Sequence, residues 1–327
     1  MNKKYILGFS MGDPYGIGPQ ITLDAIMHLK KYKTFIPVIF GSKNIFNRPF
    51  YKKRYENLSM SDYNVPNLSE NEIYFVDCGD CPETSINKPS KKGGELSRRY
   101  IEKATEFALN SQIDALVTAP ISKESLELSG SSFTGHTTML KSLTNTDKVS
   151  MVFHSPKLNV VLATIHLPIS EVSTNLTEQT CNQAIDSAIL LMKLLGQNSP
   201  KIAVAGLNPH ASENGLFGHE EKTVIEPSIN NYQKKAIAIS GPYSGDTIFL
   251  RASKGEFDVV VAMYHDQGLI PIKLLGFHDA VNITLGLPFV RTSPDHGTAF
   301  EIVYSDKVSA ESMIAAVNCA LKLLENT

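Results

Sequence analysis

Short apolar runs alternate with amphipathic helical stretches along most of this chain, and that alternation constrains the fold more than any other feature of the sequence. The runs predict strands over 5–10, 35–41, 73–78, 114–119, 149–154, 159–166, 201–207, 236–240, 258–264 and 280–285. Several are continuous and β-branched, as in Val259-Val260-Val261, the pattern of a strand covered on both faces. Apolar residues three and four apart predict helices over 17–31, 94–111, 178–195 and 309–325. Pro19 suits a first helical turn and Ser309 an N-cap. Strand–helix alternation of this kind implies an α/β architecture with largely parallel sheets. The Ser155-Pro156-Lys157 turn predicts one antiparallel hairpin within it. Residues 44–66, polar and aromatic without periodicity, read as a surface excursion.

A length of 327 residues suggests two domains, each able to bury a core. No linker marks a boundary, so the chain is expected to cross between domains on strands or helices and to leave a cleft. Lys and Arg number 31 against 33 Asp and Glu, a net charge of −2. That balance leaves no basic footprint for nucleic acid or an anionic membrane, so an anionic substrate needs local charges to hold it. Cysteines stand only at 78, 81, 181 and 319, too few for a disulfide framework. The Cys78-x-x-Cys81 pair lacks both the second pair of a zinc ribbon and the helix of a thioredoxin-like motif, and reads as structural or incidental. The N-terminal segment has no signal-peptide pattern, and no stretch approaches the ~18 apolar residues of a membrane span. The expected location is the cytoplasm.

Chemistry-bearing residues collect where strands are expected to end. The runs 159–166, 201–207 and 258–264 lead into His166, Asn208-Pro209-His210 and His265, and ligands in open α/β sheets sit beyond the carboxyl ends of strands. Three imidazoles with an open position suit zinc or a similar divalent ion acting as a Lewis acid, although no local ligand spacing supports it. Gly12-Asp13-Pro14-Tyr15-Gly16-Ile17-Gly18-Pro19 joins the first strand and helix, either as an anion-binding turn or as a plain connector; it lacks the G-x-G-x-x-G spacing. Gly135-His136-Thr137-Thr138 opens a helical stretch and offers an anion hydroxyls and backbone N–H groups. Asn282 and Arg291 flank Gly286-Leu287-Pro288, with Lys273 shortly before, and Arg grips phosphate or carboxylate through its planar fork. The polar stretch 293–298 reads as a loop suited to a nucleotide or as an ordinary connector.

Taken together these blocks closely resemble the 4-hydroxythreonine-4-phosphate dehydrogenase family of pyridoxal phosphate biosynthesis, over nearly the whole chain. The resemblance is carried by Gly12–Pro19, Thr118-Ala-Pro-Ile-Ser-Lys123, Gly135-His136-Thr137, Thr164-Ile-His-Leu-Pro168, Gly206-Leu-Asn-Pro-His210 and Gly241-Pro-Tyr-Ser-Gly-Asp-Thr247, and by stretches 264–273 and 281–298. The first block also looks like the corresponding turn of isopropylmalate and isocitrate dehydrogenases. The resemblance implies two α/β/α domains around a cleft, divided here as 1–133 with 290–327, the expected nucleotide side, and 134–289. It implies a homodimer with an active site shared across the interface, NAD (or NADP) as cofactor, and one divalent ion per site, Zn, Mg or Co. His166, His210 and His265 are the implied metal ligands, with His265 serving the partner's site. His136, Thr137, Lys273, Asn282 and Arg291 are the implied substrate contacts. Asp246 and Lys273 are assigned to the reacting centre, and Ser293, Asp295, Gly297 and Thr298 to the nucleotide. Gln20, Thr138 and the Ser212-Glu213-Asn214 stretch depart from the commoner pattern.

The expected reaction is oxidation of 4-phosphooxy-L-threonine to a β-keto acid that decarboxylates to 3-amino-2-oxopropyl phosphate, on the way to pyridoxine 5'-phosphate. Other phosphorylated hydroxy acids, 4-phospho-erythronate or phospho-threonate, compete as substrates. A phosphate acetyltransferase-like acyltransferase is the alternative of another class; it needs no metal, and the three strand-end histidines count against it.

Overall fold

The computed structural model describes residues 4–31, 34–64, 68–83 and 87–327. The chain forms two compact units, Met1–Val149 with Gly286–Leu324, and Ser150–Leu285 with Glu325–Thr327.

The first unit begins with β1 (Tyr5–Ser10), α1 (Gly18–Lys30), β2 (Phe35–Gly41), α2 (Pro49–Arg54), β3 (Met60–Asp62) and β4 (Ile73–Asp77). It continues through α3 (Lys91–Leu109), β5 (Ala115–Thr118), α4 (Lys123–Leu128) and α5 (His136–Leu143). The second unit carries β6 (Ser150–His154), β7 (Asn159–Leu162), α6 (Ile169–Asn175), α7 (Glu178–Leu194), β8 (Ile202–Ala205) and α8 (Glu226–Gln233). Then come β9 (Ile239–Tyr243), α9 (Ile248–Ser253), β10 (Val259–Ala262), α10 (His265–Gly276) and β11 (Val281–Leu285). The chain ends in the first unit with β12 (Val290–Pro294) and α11 (Glu311–Leu324).

The first unit's strands run β3-β4-β2-β1-β5-β12, paired in parallel. Leu116 and Val117 are both fully buried, so both faces of β5 are covered: α3 packs on β1, β2 and β5, and α11 on β5 and β12. Ser90 caps α3 by accepting from the Gly93 N–H at 3.0 Å, which sets where the helix starts. In the second unit the order is β11-β6-β7-β10-β8-β9. The β6–β7 hairpin and the β11–β6 pair are antiparallel; β7, β10, β8 and β9 are parallel. Val259, Val260 and Val261 are fully buried, with α7, α9 and α10 packed on β10. A Thr177–Thr180 capping box starts α7. The α/β class and the single hairpin are as the sequence predicts.

Three segments differ from expectation. The stretch from Asn44 to Asn64 is not a surface excursion: Ile45, Tyr51 and Tyr55 are buried, Tyr51 packs against Phe46, Phe50 and Tyr304, and β3 adds an edge strand. The exposed Lys52 and Lys53 interrupt the apolar pattern and hide that aromatic core. Val65 and Pro66, also in the expected excursion, lie outside the described residues. The segment after His265 is a helix, although it contains Pro271. The run expected over 236–240 forms its strand three residues later, through Gly241-Pro242, which an edge position tolerates.

Candidate active site

Strand adjacency in the second unit brings the histidines together. The neighbouring parallel strands β7, β10 and β8 lead at their carboxyl ends into His166, His265 and His210. Beyond β7 the chain still follows β10: the Ala163 N–H donates to Ala262 O at 2.8 Å and Thr164 Oγ1 to Met263 O at 2.7 Å. His166 then sits beside His265, with ring centroids 5.6 Å apart and planes tilted by 39°. Both rings line a cavity of about 180 Å³. His265 Nδ1 lies 2.7 Å from Asp266 Oδ1, a carboxylate contact that orients the ring and leaves Nε2 for a ligand.

His210 lines a second cavity, of about 690 Å³, whose polar lining includes Asp246, Asn208, Ser244 and Gln267. Tyr264 and Asp266 line both cavities. Among the described residues no group of three His, Cys, Asp or Glu side chains gathers to hold a metal ion. The spacing of His166 and His265 fits two ligands of one divalent ion, and the imidazole donor set suits zinc or a similar metal; within this chain His210 stands apart from that pair. Asp246 is exposed and accepts from Ser244 Oγ at 2.6 Å. Lys273 is an exposed residue of α10 and does not line either cavity. Asn282 lies on β11 with its Oδ1 buried and without a hydrogen-bond partner.

Backbone geometry around two of the histidines is strained. His166 has φ 52°. His210, Ala211, Ser212, Glu213 and Asn214 all have positive φ, a turn of left-handed helix built without glycine. At about 1–2 kcal/mol for each such residue, five cost roughly 5–10 kcal/mol, which the surrounding contacts must offset. Strain of this size concentrates at functional positions. No periodicity in the sequence signals it.

The other candidate residues lie in the first unit. Arg291, on β12, is 2% exposed and donates from Nη2 to Thr118 Oγ1 on neighbouring β5 at 2.7 Å. Burial pushes its pKa down to about 9, a cost that a docked anion would relieve. His136 opens α5 with its Nε2 buried and without a hydrogen-bond partner. Burial, then the Arg291 charge, holds this imidazole well below the usual histidine range, so it is neutral at pH 7. Thr137, next on the helix, is half-buried. Together they form a desolvated cation beside a neutral imidazole, an arrangement suited to a phosphate or carboxylate. The unfolded chain takes up the His136 proton first as the pH drops below about 6.5, so stability present above that pH is lost as it falls toward the folded value. Urea denaturation from pH 7.5 to 5.5 should show wild type losing stability relative to His136→Gln; a constant gap would show an ordinary imidazole.

The structure decides two open readings. In the Gly12–Pro19 turn the N–H groups of Asp13, Tyr15, Gly16 and Ile17 donate to Pro120 O, Asp13 Oδ1, Asp13 O and Thr298 O. Those donors are used internally, so the turn is a connector rather than an open anion cradle. Gly12 is required there: its φ is +69° and an added Cβ would collide with the Pro120 carbonyl. The cysteines are free thiols; burial pushes Cys78 up to about 12, and Cys81 is buried with Arg48 Nη2 3.2 Å from its sulfur. Neither has the depressed pKa of a redox motif.

The proposed nucleotide residues are only partly a loop. Ser293 is a buried residue of β12, whereas Asp295, Gly297 and Thr298 follow the strand, with open space around Gly297. Sequence patterns placed Thr118, Asn208, Asp266 and Gln267 within the resembling blocks without giving any of them a role, and gave no signal at all for Glu221. Of these only Asp266, as the neighbour of a candidate ligand, carried a usable signal.

The family described as pyridoxal phosphate biosynthetic protein PdxA matches residues 33–320. A 4-hydroxythreonine-4-phosphate dehydrogenase of Desulfosudis oleivorans is 38% identical over 98% of this chain and 96% of its own length. A D-threonate 4-phosphate dehydrogenase of Salmonella typhimurium is 38% identical over 97% of this chain and 98% of its own. The crystal structure of a 4-hydroxythreonine-4-phosphate dehydrogenase from Klebsiella pneumoniae superposes with a TM-score of 0.82 at 35% identity, covering 98% of this chain and 100% of that one.

Proposed function

This chain belongs to the pyridoxal phosphate biosynthetic protein PdxA family, and on that footing we propose that it oxidises the secondary hydroxyl of 4-phosphooxy-L-threonine with NAD, the β-keto acid then losing carbon dioxide to give 3-amino-2-oxopropyl phosphate. The rival substrate is D-threonate 4-phosphate, because relatives of either name are 38% identical to this chain. Acyl transfer is set aside because these full-length relatives are named dehydrogenases.

The observation that carries the reading is the meeting of His166 and His265 at the carboxyl ends of adjacent parallel strands. His166 and His265 would hold a divalent ion, which would supply Lewis acidity toward the substrate hydroxyl, and a bound nicotinamide would supply the hydride acceptor. Asp266 holds His265 in the orientation that frees Nε2. Arg291 and His136 grip the substrate's anionic end, and orientation by that grip converts binding into rate. Asp246 and Lys273 are the groups the resemblance assigns to the reacting centre, Lys273 also to the substrate's anionic end, and Asn282 to a substrate contact. Asp295, Gly297 and Thr298 are the side proposed for NAD or NADP.

A homodimer accompanies this reading. On α10, Leu269 and Ile272 are buried in the home core rather than free for an interface. Ile270, Leu274 and Phe277, at four- and three-residue spacing, are 59%, 81% and 57% exposed, and Leu250 of α9 adds 59%. Such an apolar face suits a second copy of the chain. The ring pairing also allows a different allocation of ligands from the one the resemblance implies, with His166 and His265 from one chain and His210 from its partner. No helix among the described residues is long and apolar enough to cross a membrane, and the reading places the enzyme in the cytoplasm.

The deciding experiment supplies each substrate with NAD or NADP, before and after EDTA and with Zn, Mg or Co restored, and follows reduced nicotinamide. Failure to reduce either nucleotide with either substrate would overturn the reading. Truncating Arg291 to alanine should cost about 2–5 kcal/mol in kcat/KM, because a desolvated anion loses its partner. Lysine there should recover only part of the loss, lacking the fork. Wild-type kinetics in Arg291→Ala would remove the residue from the substrate site.

A further inference from the structure

We propose that Glu221 is a positioning residue whose buried carboxylate clasps Asn208 and thereby holds the left-handed turn that presents His210 to its cavity. The functional half of this inference rests on His210 being a metal ligand, as in the reading above.

Glu221 is 1% exposed, and a buried carboxylate needs donors. It finds two on one residue: the Asn208 backbone N–H donates to Oε1 at 2.7 Å and Asn208 Nδ2 to Oε2 at 2.9 Å. Asn208 Nδ2 also donates to Glu220 Oε2 at 2.8 Å. The clasped residue is the last one before the Pro209–Gly215 segment with its run of positive φ. The turn is pressed against the end of β8: a Cβ added to Gly206 would lie 2.8 Å from Ala211 Cα and 3.1 Å from Glu221 Oε1. Glu221 itself begins a π-helical turn, Glu221–Ile225, an irregularity that turns a side chain away from the direction an α-helix would give it. Lys222, the next residue, donates to Asn214 O at 2.7 Å, so the same turn holds the far end of the strained segment. Two consecutive side chains thus fasten both ends of a backbone that would otherwise relax. Charge-assisted bonds to both the main chain and the side chain of one residue fix position as well as direction.

The test uses the full chain with Glu221→Gln, which keeps the shape but replaces one acceptor by an amide donor facing an Asn208 N–H. The Ala211 amide, bonded to Asn208 O, and the Phe217 amide, bonded to Ser212 O, report the turn. Their hydrogen exchange should quicken at least about tenfold while the amides of β8 stay protected. Zn²⁺ titrated into the metal-free chain should bind about 10–100-fold more weakly, as expected for loss of an outer partner of a ligand. Unchanged exchange at both amides in folded Glu221→Gln would overturn the clasp. Faster exchange with unchanged Zn²⁺ affinity would overturn its link to His210. If Glu221→Gln does not fold, Asn208→Ala removes only the side-chain half of the clasp and is read by the same exchange. Wild-type chain that neither binds Zn²⁺ nor reduces NAD would defeat the function proposed above, whereas the exchange result still decides the clasp.

Discussion

His166→Ala is expected to lower kcat/KM by about 10³-fold or more with the fold intact. The residue is exposed at a strand end, so its removal opens no core cavity, and circular dichroism and thermal unfolding should match wild type. What is lost is one of the two rings that face each other at 5.6 Å. Lewis-acid stabilisation of a developing alkoxide is worth several kcal/mol, and about 4 kcal/mol corresponds to about 10³ in rate. His265→Ala should behave alike, and should also leave Asp266 without the imidazole it orients. The measurement is steady-state reduction of NAD with the better of the two substrates, beside Zn²⁺ content of the purified protein. Near-normal turnover in His166→Ala, or in wild type stripped of metal, would remove the histidine pair from catalysis.

The second large effect is recovery rather than loss. If His166 and His265 come from one chain and His210 from its partner, then mixing His166→Ala chains with His210→Ala chains regenerates one complete site in each heterodimer. The other site lacks both residues. Unfolding and refolding the two inactive proteins together should restore about one quarter of wild-type activity when chains assort at random. A mixture of His166→Ala with His265→Ala should stay inactive, because each of its sites lacks one of the two. The allocation implied by family resemblance, with His265 serving the partner, predicts recovery in that second mixture instead. The pair of mixtures therefore separates the two allocations, and a lack of recovery in both, with heterodimers confirmed by mass, would place all three ligands in one chain's site.

Arg291 shows where sequence reasoning reached and stopped. Its chemistry marks it as a candidate anion ligand, yet the strand that carries it, β12, was not legible: Arg291, Thr292, Ser293 and Pro294 do not make an apolar run. The strand exists because its polar groups find partners in the interior, Arg291 on Thr118 and Thr292 Oγ1 on Ala316 O at 2.9 Å. Such partners are distant in sequence and leave no local signal. The same holds for the aromatic packing of Tyr51 against Tyr304.

Hydrophobic periodicity determined the α/β class, the strands other than β3 and β12, and the helices α1, α3, α7 and α11, because burial on both faces of a parallel sheet demands continuous apolar runs that can be read one residue at a time; the turn residues 155–157 marked the hairpin. Residue chemistry singled out the three histidines, since each follows such a run. Only the tertiary structure decided which of them meet. Pairing β7 beside β10 sets His166 against His265, and the left-handed turn after β8 places His210 on another cavity. Strand order arises from contacts between residues far apart in sequence, such as Thr164 with Met263, and the positive-φ turn from side chains 13 residues on, Glu221 with Asn208; neither kind of contact leaves a periodic signal in the sequence.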